Sequence, residues 1–485
     1  MPLDSSSSNS SIGYESVSSE YFNQRQLKKG AVGWVLLASL GVSYVISGDF
    51  AGWNFGIAQG GFGGMVIATL LMACMYLCMV FGLAELSSSI PTAGGGYSFA
   101  RRAMGPWGGF LTGTAILLEY AIAPAAIAIF IGGYLNSLIG LDGPIVYASF
   151  YALFIGLHLL GVGQALKIMM VITCVAVLAL VVFATGMIPF FDVDNLLTVA
   201  VNPQAAGANT FLPEGWIGVW GALPFAMWLF LAVEGVPLAA EESENPSRDM
   251  PIGIIVAMIV LILFAVSVLV LVPGVAGADA MKDHPAPLVG ALESIYGVNS
   301  NIANFVNVIG LFGLIASFFS IIFAYSRQIF ALSRAGYLPR FLSVTGKKKV
   351  PTMALVVPGA IGFMLSLTGE GDLMITMAVF GATISYALMM LSHMILRVKE
   401  PEMHRPYKTP GGVKTTGLAF ILAIIAFAST FVVSLEAAIW SAVFYAILVG
   451  YFAFYSRHHL VAQAPEEEFD TIQRATDALD LEQEK

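Results

Sequence analysis

Apolar runs of about spanning length, parted by short polar intervals, occupy the chain from residue 33 to residue 455. A helix needs about 20 apolar residues to cross a hydrocarbon core, and the pattern predicts twelve spans, near 33–59, 63–89, 107–135, 144–160, 165–188, 215–239, 251–273, 302–333, 351–368, 373–396, 415–434 and 437–455. Before them lies a serine-dense segment too polar to bury a core, read as disordered. It is not the short apolar stretch with a cleavage site that marks a signal peptide. After them comes a polar, acidic tail, read as mobile.

Two spans break their own pattern. In span 1, Ser47-Gly48-Asp49-Phe50-Ala51-Gly52 sets a carboxylate and two glycines where a spanning helix is otherwise continuous. Lipid offers no partner to freed backbone groups, so a break predicted over Ser47–Gly52 requires a polar or protein-lined surrounding. An intramembrane acid is by default a site hypothesis; the plainer role for Asp49 is as N-cap of a half-helix starting at Phe50. Span 6 repeats the theme, with Glu234 beside Gly235 and just before Pro237, which removes a helix hydrogen bond. Interrupted helices five spans apart point to an inverted-repeat transporter with its site at the midplane. The predicted organisation is a tail (1–30), a first repeat of spans 1–5 (31–190), a second of spans 6–10 (191–400), spans 11 and 12 (401–456), and a C-terminal tail (457–485).

Composition agrees. Apolar residues make up 58%, mean hydropathy is +0.82 and only 11% of residues are charged, against about 25% in soluble domains. This excludes a soluble enzyme with an anchor. Lysine and arginine gather in the N-terminal tail, the intervals after spans 2, 6, 8 and 10 and the C-terminal tail, with Lys282 on the other side; both termini are therefore expected in the cytoplasm. The net charge of −9 shows no basic patch for nucleic acid.

Other candidates follow in chain order. Cys74, Cys78 and Cys174 lack metal or redox spacing and read as small packing residues. Pro91 to Arg101 is glycine-rich, but no Gly-Lys-Ser/Thr follows and no strand precedes it, so it reads as a tight turn and not a phosphate cradle. Glu119, next to Tyr120, is a buried acid that needs a partner or a proton; a ligand role and a helix-to-helix anchor fit it equally. His158 and Lys167 are expected to snorkel to the interface. Trp228 and Phe230 precede Glu234 by one to two turns, a spacing suited to an aromatic wall over a cation or to ordinary packing. Ser317, Ser320, Tyr325, Thr383, Ser385 and Tyr386 are weaker polar points.

Five ordered motifs then carry a resemblance. Ile46-Ser47-Gly48-Asp49-Phe50 resembles the Gly-Ser-Gly-Ile-Phe break of the amino acid–polyamine–organocation family. Pro91–Arg101, Asn245–Pro251, Ser326–Pro339 and Arg405-Pro406-Tyr407 resemble further motifs of that family. The resemblance implies an all-α polytopic membrane protein with a five-plus-five inverted repeat, spans 1 and 6 interrupted, working by alternating access. The Ser-Gly-Asp-Phe-Ala-Gly-Trp-Asn-Phe-Gly run is most similar to the ethanolamine permeases. Two departures stand out: Phe-x-Gly-x-Glu in span 6 reads Phe230-Leu231-Ala232-Val233-Glu234 here, and no lysine lies midway through span 5.

In amino-acid carriers of this fold, the amides at the span 1 break hold the substrate carboxylate. Asp49 is expected to fill that niche with its own carboxylate, repel a substrate acid and attract an ammonium. The expected activity is import of ethanolamine across a bacterial cytoplasmic membrane. Ser47, Gly48, Asp49, Phe50, Ala51, Gly52, Glu119, Tyr120, Trp228, Phe230, Glu234 and Gly235 are the expected substrate site. Glu234 and Glu119 are the proton-coupling candidates; no cofactor or metal is expected, and protons are favoured over sodium as the coupling ion. An amino-acid or polyamine permease is the rival within the fold, and a membrane-embedded enzyme or sensing receptor the rival outside it.

Overall fold

The structure, a computed structural model, describes residues 12–25, 32–297, 301–462, 464 and 467. It is built almost wholly of helices. Those that frame the centre are α1 (Ser19–Asn23), α2 (Trp34–Val45), α3 (Ser47–Phe50), α4 (Phe55–Ser89), α5 (Gly96–Ile139), α6 (Pro144–Leu159) and α7 (Val162–Met187). The chain continues with α8 (Gly215–Trp228), a 3-10 helix Val233–Glu242, α9 (Pro246–Ala276), α10 (Ala278–Met281), α11 (Pro287–Tyr296) and α12 (Asn301–Arg334). It closes with α13 (Thr352–Ser366), α14 (Gly371–Lys399), α15 (Val413–Val433) and α16 (Leu435–Phe454).

Among the described residues nine helical stretches are long and apolar enough to cross a membrane, and three shorter apolar ones lie at Trp34–Phe50, Pro144–Leu159 and Thr352–Ser366. They overlap the expected spans with two shifts: Phe55–Ser89 runs across the expected boundary between spans 1 and 2, with a kink at Gly61 (φ +66°), and Gly96–Ile139 starts before expected span 3, with a kink at Gly105 (φ +75°). Helices α2, α4, α8 and α9 pack against one another, as do α5, α6, α12 and α13, while α14 lies along α5 and also touches α4 and α8. Apolar side chains turned outward, such as Leu70, Val171, Leu263 and Ile447, give the bundle a lipid-compatible rim.

Several expectations change. Part of the N-terminal segment is ordered: Tyr14–Glu15 (β1) pairs in parallel with Leu460–Val461 (β2). Arg25 donates from Nε to Ser343 Oγ at 2.8 Å, so the segment gains its order from the body of the protein and not from a core of its own. Glu467, in the expected mobile tail, is buried against Arg101 and accepts from the Tyr337 hydroxyl at 2.9 Å. The rest of both tails lies outside the described residues.

His158 does not snorkel. It is buried, stacked on Phe319, with Nε2 2.8 Å from the Phe319 carbonyl oxygen, because α6 packs onto α12 at that level. Lys167 is exposed as expected. Cys74 and Cys174 are exposed and so are rim residues and not packing residues, while Cys78 is half-buried and packs against the core as expected. The glycine-rich segment turns over Pro91–Gly95 and is helical from Gly96, with the Ala93 N–H donating to Glu241 Oε1 at 3.0 Å. Helices α10 and α11 were not anticipated; they fold between α9 and α12 and reach the centre through Asn54.

Candidate functional site

The span 1 break lies later than the glycines suggest. The chain stays helical through Phe50, turns extended at Ala51 (φ −157°, ψ 158°) and resumes as α4 at Phe55. Gly52 takes φ +93°, and a Cβ there would meet the Trp228 indole Nε1 at 2.8 Å, so this position demands glycine for both conformation and room. Gly48 is helical, and its role is close approach: a Cβ would lie 2.5 Å from the Trp228 carbonyl oxygen.

The second break is also displaced. α8 ends at Trp228, and Ala232 adopts the left-handed region (φ +77°) before the 3-10 helix begins at Val233. The opened residues are thus Leu229–Ala232, upstream of Gly235 and Pro237. Gly235 makes space instead, with a Cβ there 2.9 Å from the Tyr44 ring and 3.1 Å from the Tyr120 hydroxyl.

The two openings satisfy each other, as an apolar surrounding requires. Trp228 Nε1 donates to the Ala51 carbonyl at 2.9 Å, and the Tyr134 hydroxyl donates to the Phe50 carbonyl at 2.8 Å. The Gly52 N–H donates to Asn54 Oδ1 at 3.2 Å, while the Asn54 amide donates to the carbonyls of Met281 and His284 at 2.9 Å each. Ser47 Oγ donates to Ser317 Oγ at 2.8 Å, Ser317 Oγ donates to the Tyr44 carbonyl at 2.5 Å, and Ser43 bonds Ser320. Serines that read as weak points in the sequence are the α2–α12 contact.

Glu119 and Glu234 are brought together. Glu234 accepts from the Tyr120 hydroxyl at 2.7 Å and from the Tyr386 hydroxyl at 2.8 Å; Tyr386 also lies 3.3 Å from Glu119 Oε1 and 3.3 Å from the Tyr76 hydroxyl. Glu119 Oε2 has no hydrogen-bond partner among the described residues. Phe230 packs its ring against Tyr76, and Trp228 faces Phe130, so the two predicted aromatics stand over different parts of the site. Tyr76 carried no signal in the sequence beyond being one aromatic among many in a span.

Asp49 stands apart from that pair. Its side chain is fully buried, and neither carboxylate oxygen has a hydrogen-bond partner among the described residues. It neither caps a helix nor fills the amide niche, because residue 49 belongs to a continuous turn and the opened amides begin two residues later. Phe50 presses on α12, where a Cβ at Gly313 would collide with its ring and one at Gly310 would meet the Tyr134 ring at 2.7 Å. Between the breaks lies a void of about 160 Å³, lined by Tyr44, Val45, Ser47, Trp228, Leu231 and Ile321, with no room for a water-sized sphere. Ligand pockets are commonly about 300–1,000 Å³, so this void is too small for a substrate, and neither Asp49 nor Glu234 lines it. On the side of the chain termini stand two ion pairs, the buried Arg327–Glu242 (2.8 Å) and Arg334–Glu241 (2.7 Å).

Membrane-spanning helices opened face to face around buried acids and aromatics define a solute carrier rather than an enzyme. The chain belongs to the Amino acid permease family, whose profile matches residues 32–454. It is 28% identical over 404 residues to an uncharacterized transporter of Rhizobium meliloti, covering 81% of this chain and 85% of that protein. It is 28% identical over 408 residues to a branched-chain amino acid permease of Bacillus subtilis (80% and 85% covered). Over 392 residues it is 26% identical to a methylthioribose transporter of the same organism (76% and 79%).

Proposed function

We propose that this permease imports ethanolamine, or a similarly small amine without a carboxylate, across a bacterial cytoplasmic membrane by alternating access. The arrangement proposed for it is twelve spans in a five-plus-five inverted repeat, with both termini in the cytoplasm. The observation that carries the cargo reading is the Asp49 carboxylate, buried with both oxygens unpartnered. A buried charge left without a counter-charge is costly; an ammonium arriving when the centre opens offsets that cost, and a second carboxylate adds to it. Arg327, the arginine whose charge reaches Tyr44, is already held by Glu242. Several amides of the opened turn, those of Ala51, Gly52, Gly56 and Ile57, are hydrogen-bonded within it and so are less free to hold a substrate acid.

Glu119 and Glu234, sharing the single hydroxyl hydrogen of Tyr386, are the proposed place where a coupling proton is taken up and released. An amino-acid substrate is the second reading, favoured by the similarity to the branched-chain amino acid permease. Uptake of labelled ethanolamine into proteoliposomes, challenged with excess leucine and excess propanolamine, separates the two. Competition by the amine alone supports the proposal; competition by leucine alone rejects it. Uptake driven by a pH gradient without sodium supports proton coupling, and a strict sodium requirement overturns it.

A further inference from the structure

Away from the centre, a slot of about 660 Å³ opens between α5, α13, α14 and α16. Its walls are apolar: Leu118, Ala121 and Ile122 from α5 face Met377 of α14 and Phe444 of α16. Its polar end holds two carboxylates, Glu370 just before α14 and Glu436 in the first turn of α16, with Trp440 one turn further in. Both glutamates are exposed, neither makes an ion pair among the described residues, and no lysine or arginine lines the slot. From Glu436 to Phe444 the helix advances by about 12 Å, close to the depth of one leaflet's hydrocarbon, about 15 Å. The acidic end lies at the side of the bundle opposite the buried Arg327 and the chain termini.

We infer that this slot binds a bilayer phospholipid whose headgroup ends in an ammonium, with one acyl chain between α5, α13, α14 and α16 and the ammonium against Glu370 and Glu436. The dimensions and apolar walls suit an acyl chain lying along the helices. The two carboxylates select the headgroup, since they attract an ammonium and repel a head whose net charge is negative. Trp440, at the level between polar end and apolar slot, is a side chain suited to an interface. Leu118 and Ala121 flank Glu119 and Tyr120, and Met377 shares α14 with Tyr386, so the bound chain braces the helices that carry Glu119 and the two tyrosines bonded to Glu234. This inference does not depend on the identity of the cargo.

The test uses the purified full-length chain titrated with phosphatidylethanolamine or phosphatidylglycerol and read by native mass spectrometry. Quenching by phosphatidylethanolamine with brominated chains, taken as the difference between wild type and Trp440→Phe, reports on the slot itself. Wild type is expected to prefer the ethanolamine head by about tenfold, the order two interfacial charge pairs supply. The Glu370→Gln/Glu436→Gln variant, altered only at exposed positions, is expected to lose that preference. Ala121→Trp, which fills the slot, is expected to remove the quenching of Trp440, read as the difference between this variant with and without Trp440→Phe, and the same correction applies to any further tryptophan variant. Equal binding of both lipids by wild type, a preference for phosphatidylglycerol, or a preference unchanged by the double substitution overturns the proposal. Should Ala121→Trp fail to fold, Thr368→Trp at the exposed polar end tests the same occlusion.

Discussion

Buried carboxylates at the end of the bundle that carries the termini and those at its centre obey different rules. Glu85 is gripped by Arg397 (2.5 Å), Arg405 (3.0 Å), His393 (3.2 Å) and the Thr409 N–H (2.7 Å). Glu242 has Arg327, and Glu467 has Arg101. At the centre, Glu234 is held by tyrosine hydroxyls, and the Asp49 carboxyl has no hydrogen bond among the described residues. Matched charges hold helices in place; an unmatched charge is kept because something else completes it. The contrast separates the clamps of this permease from its proposed binding groups without reference to a relative.

The largest expected effect falls on a clamp. Arg327→Met leaves Glu242 buried and alone, and is expected to lower stability by about 3–5 kcal/mol, read as thermal unfolding in detergent. Adding Glu242→Leu is expected to recover most of the loss, since removing both charges removes the penalty; a double variant as unstable as the single one breaks the comparison. At the centre the effect falls on transport instead. Asp49→Asn is expected to cut ethanolamine uptake by about 30-fold or more, while the unfolding temperature changes little, since the carboxyl makes no ion pair or hydrogen bond among the described residues that the variant would lose. Wild-type uptake in this variant rejects Asp49 as a ligand.

Smaller effects sharpen the picture. Ala232 holds a left-handed conformation that costs an L-residue about 1–2 kcal/mol, so Ala232→Gly is expected to raise stability by about 1 kcal/mol, and a loss would show that the methyl group packs usefully. The smallest effect belongs to the exposed Glu15. The His459 ring and then the Arg340 guanidinium hold its carboxyl below the usual glutamate range. Its contribution is therefore present at neutral pH, fades as pH falls below the ordinary value near 4.3, and is lost below the depressed folded value. Glu15→Gln is expected to change stability by less than about 1 kcal/mol and to flatten that acid limb of the unfolding-temperature profile.

Much of this was legible in order along the chain. The interruption in the first span was announced by Ser47, Gly48, Asp49 and Gly52, and Glu119 and Glu234 were legible as acids where lipid-facing helices carry none. What could not be read was which glycine bends and which merely makes room: Gly52 turns the chain while Gly48 admits the Trp228 carbonyl, and Ala232, not Gly235, takes the left-handed step. His158 shows the same limit, since its burial depends on Phe319, 161 positions away.

Hydropathy and its breaks are local properties, so the amino-acid order alone determined that the chain spans a membrane, roughly where each helix runs and which two are discontinuous. Pairing is not local. Only the folded arrangement decided that Glu234 meets Tyr120 and Tyr386, that Glu242 meets Arg327, and that Asp49 meets no counter-charge among the described residues, because each outcome rests on partners contributed by distant helices and on whether water is shut out between them.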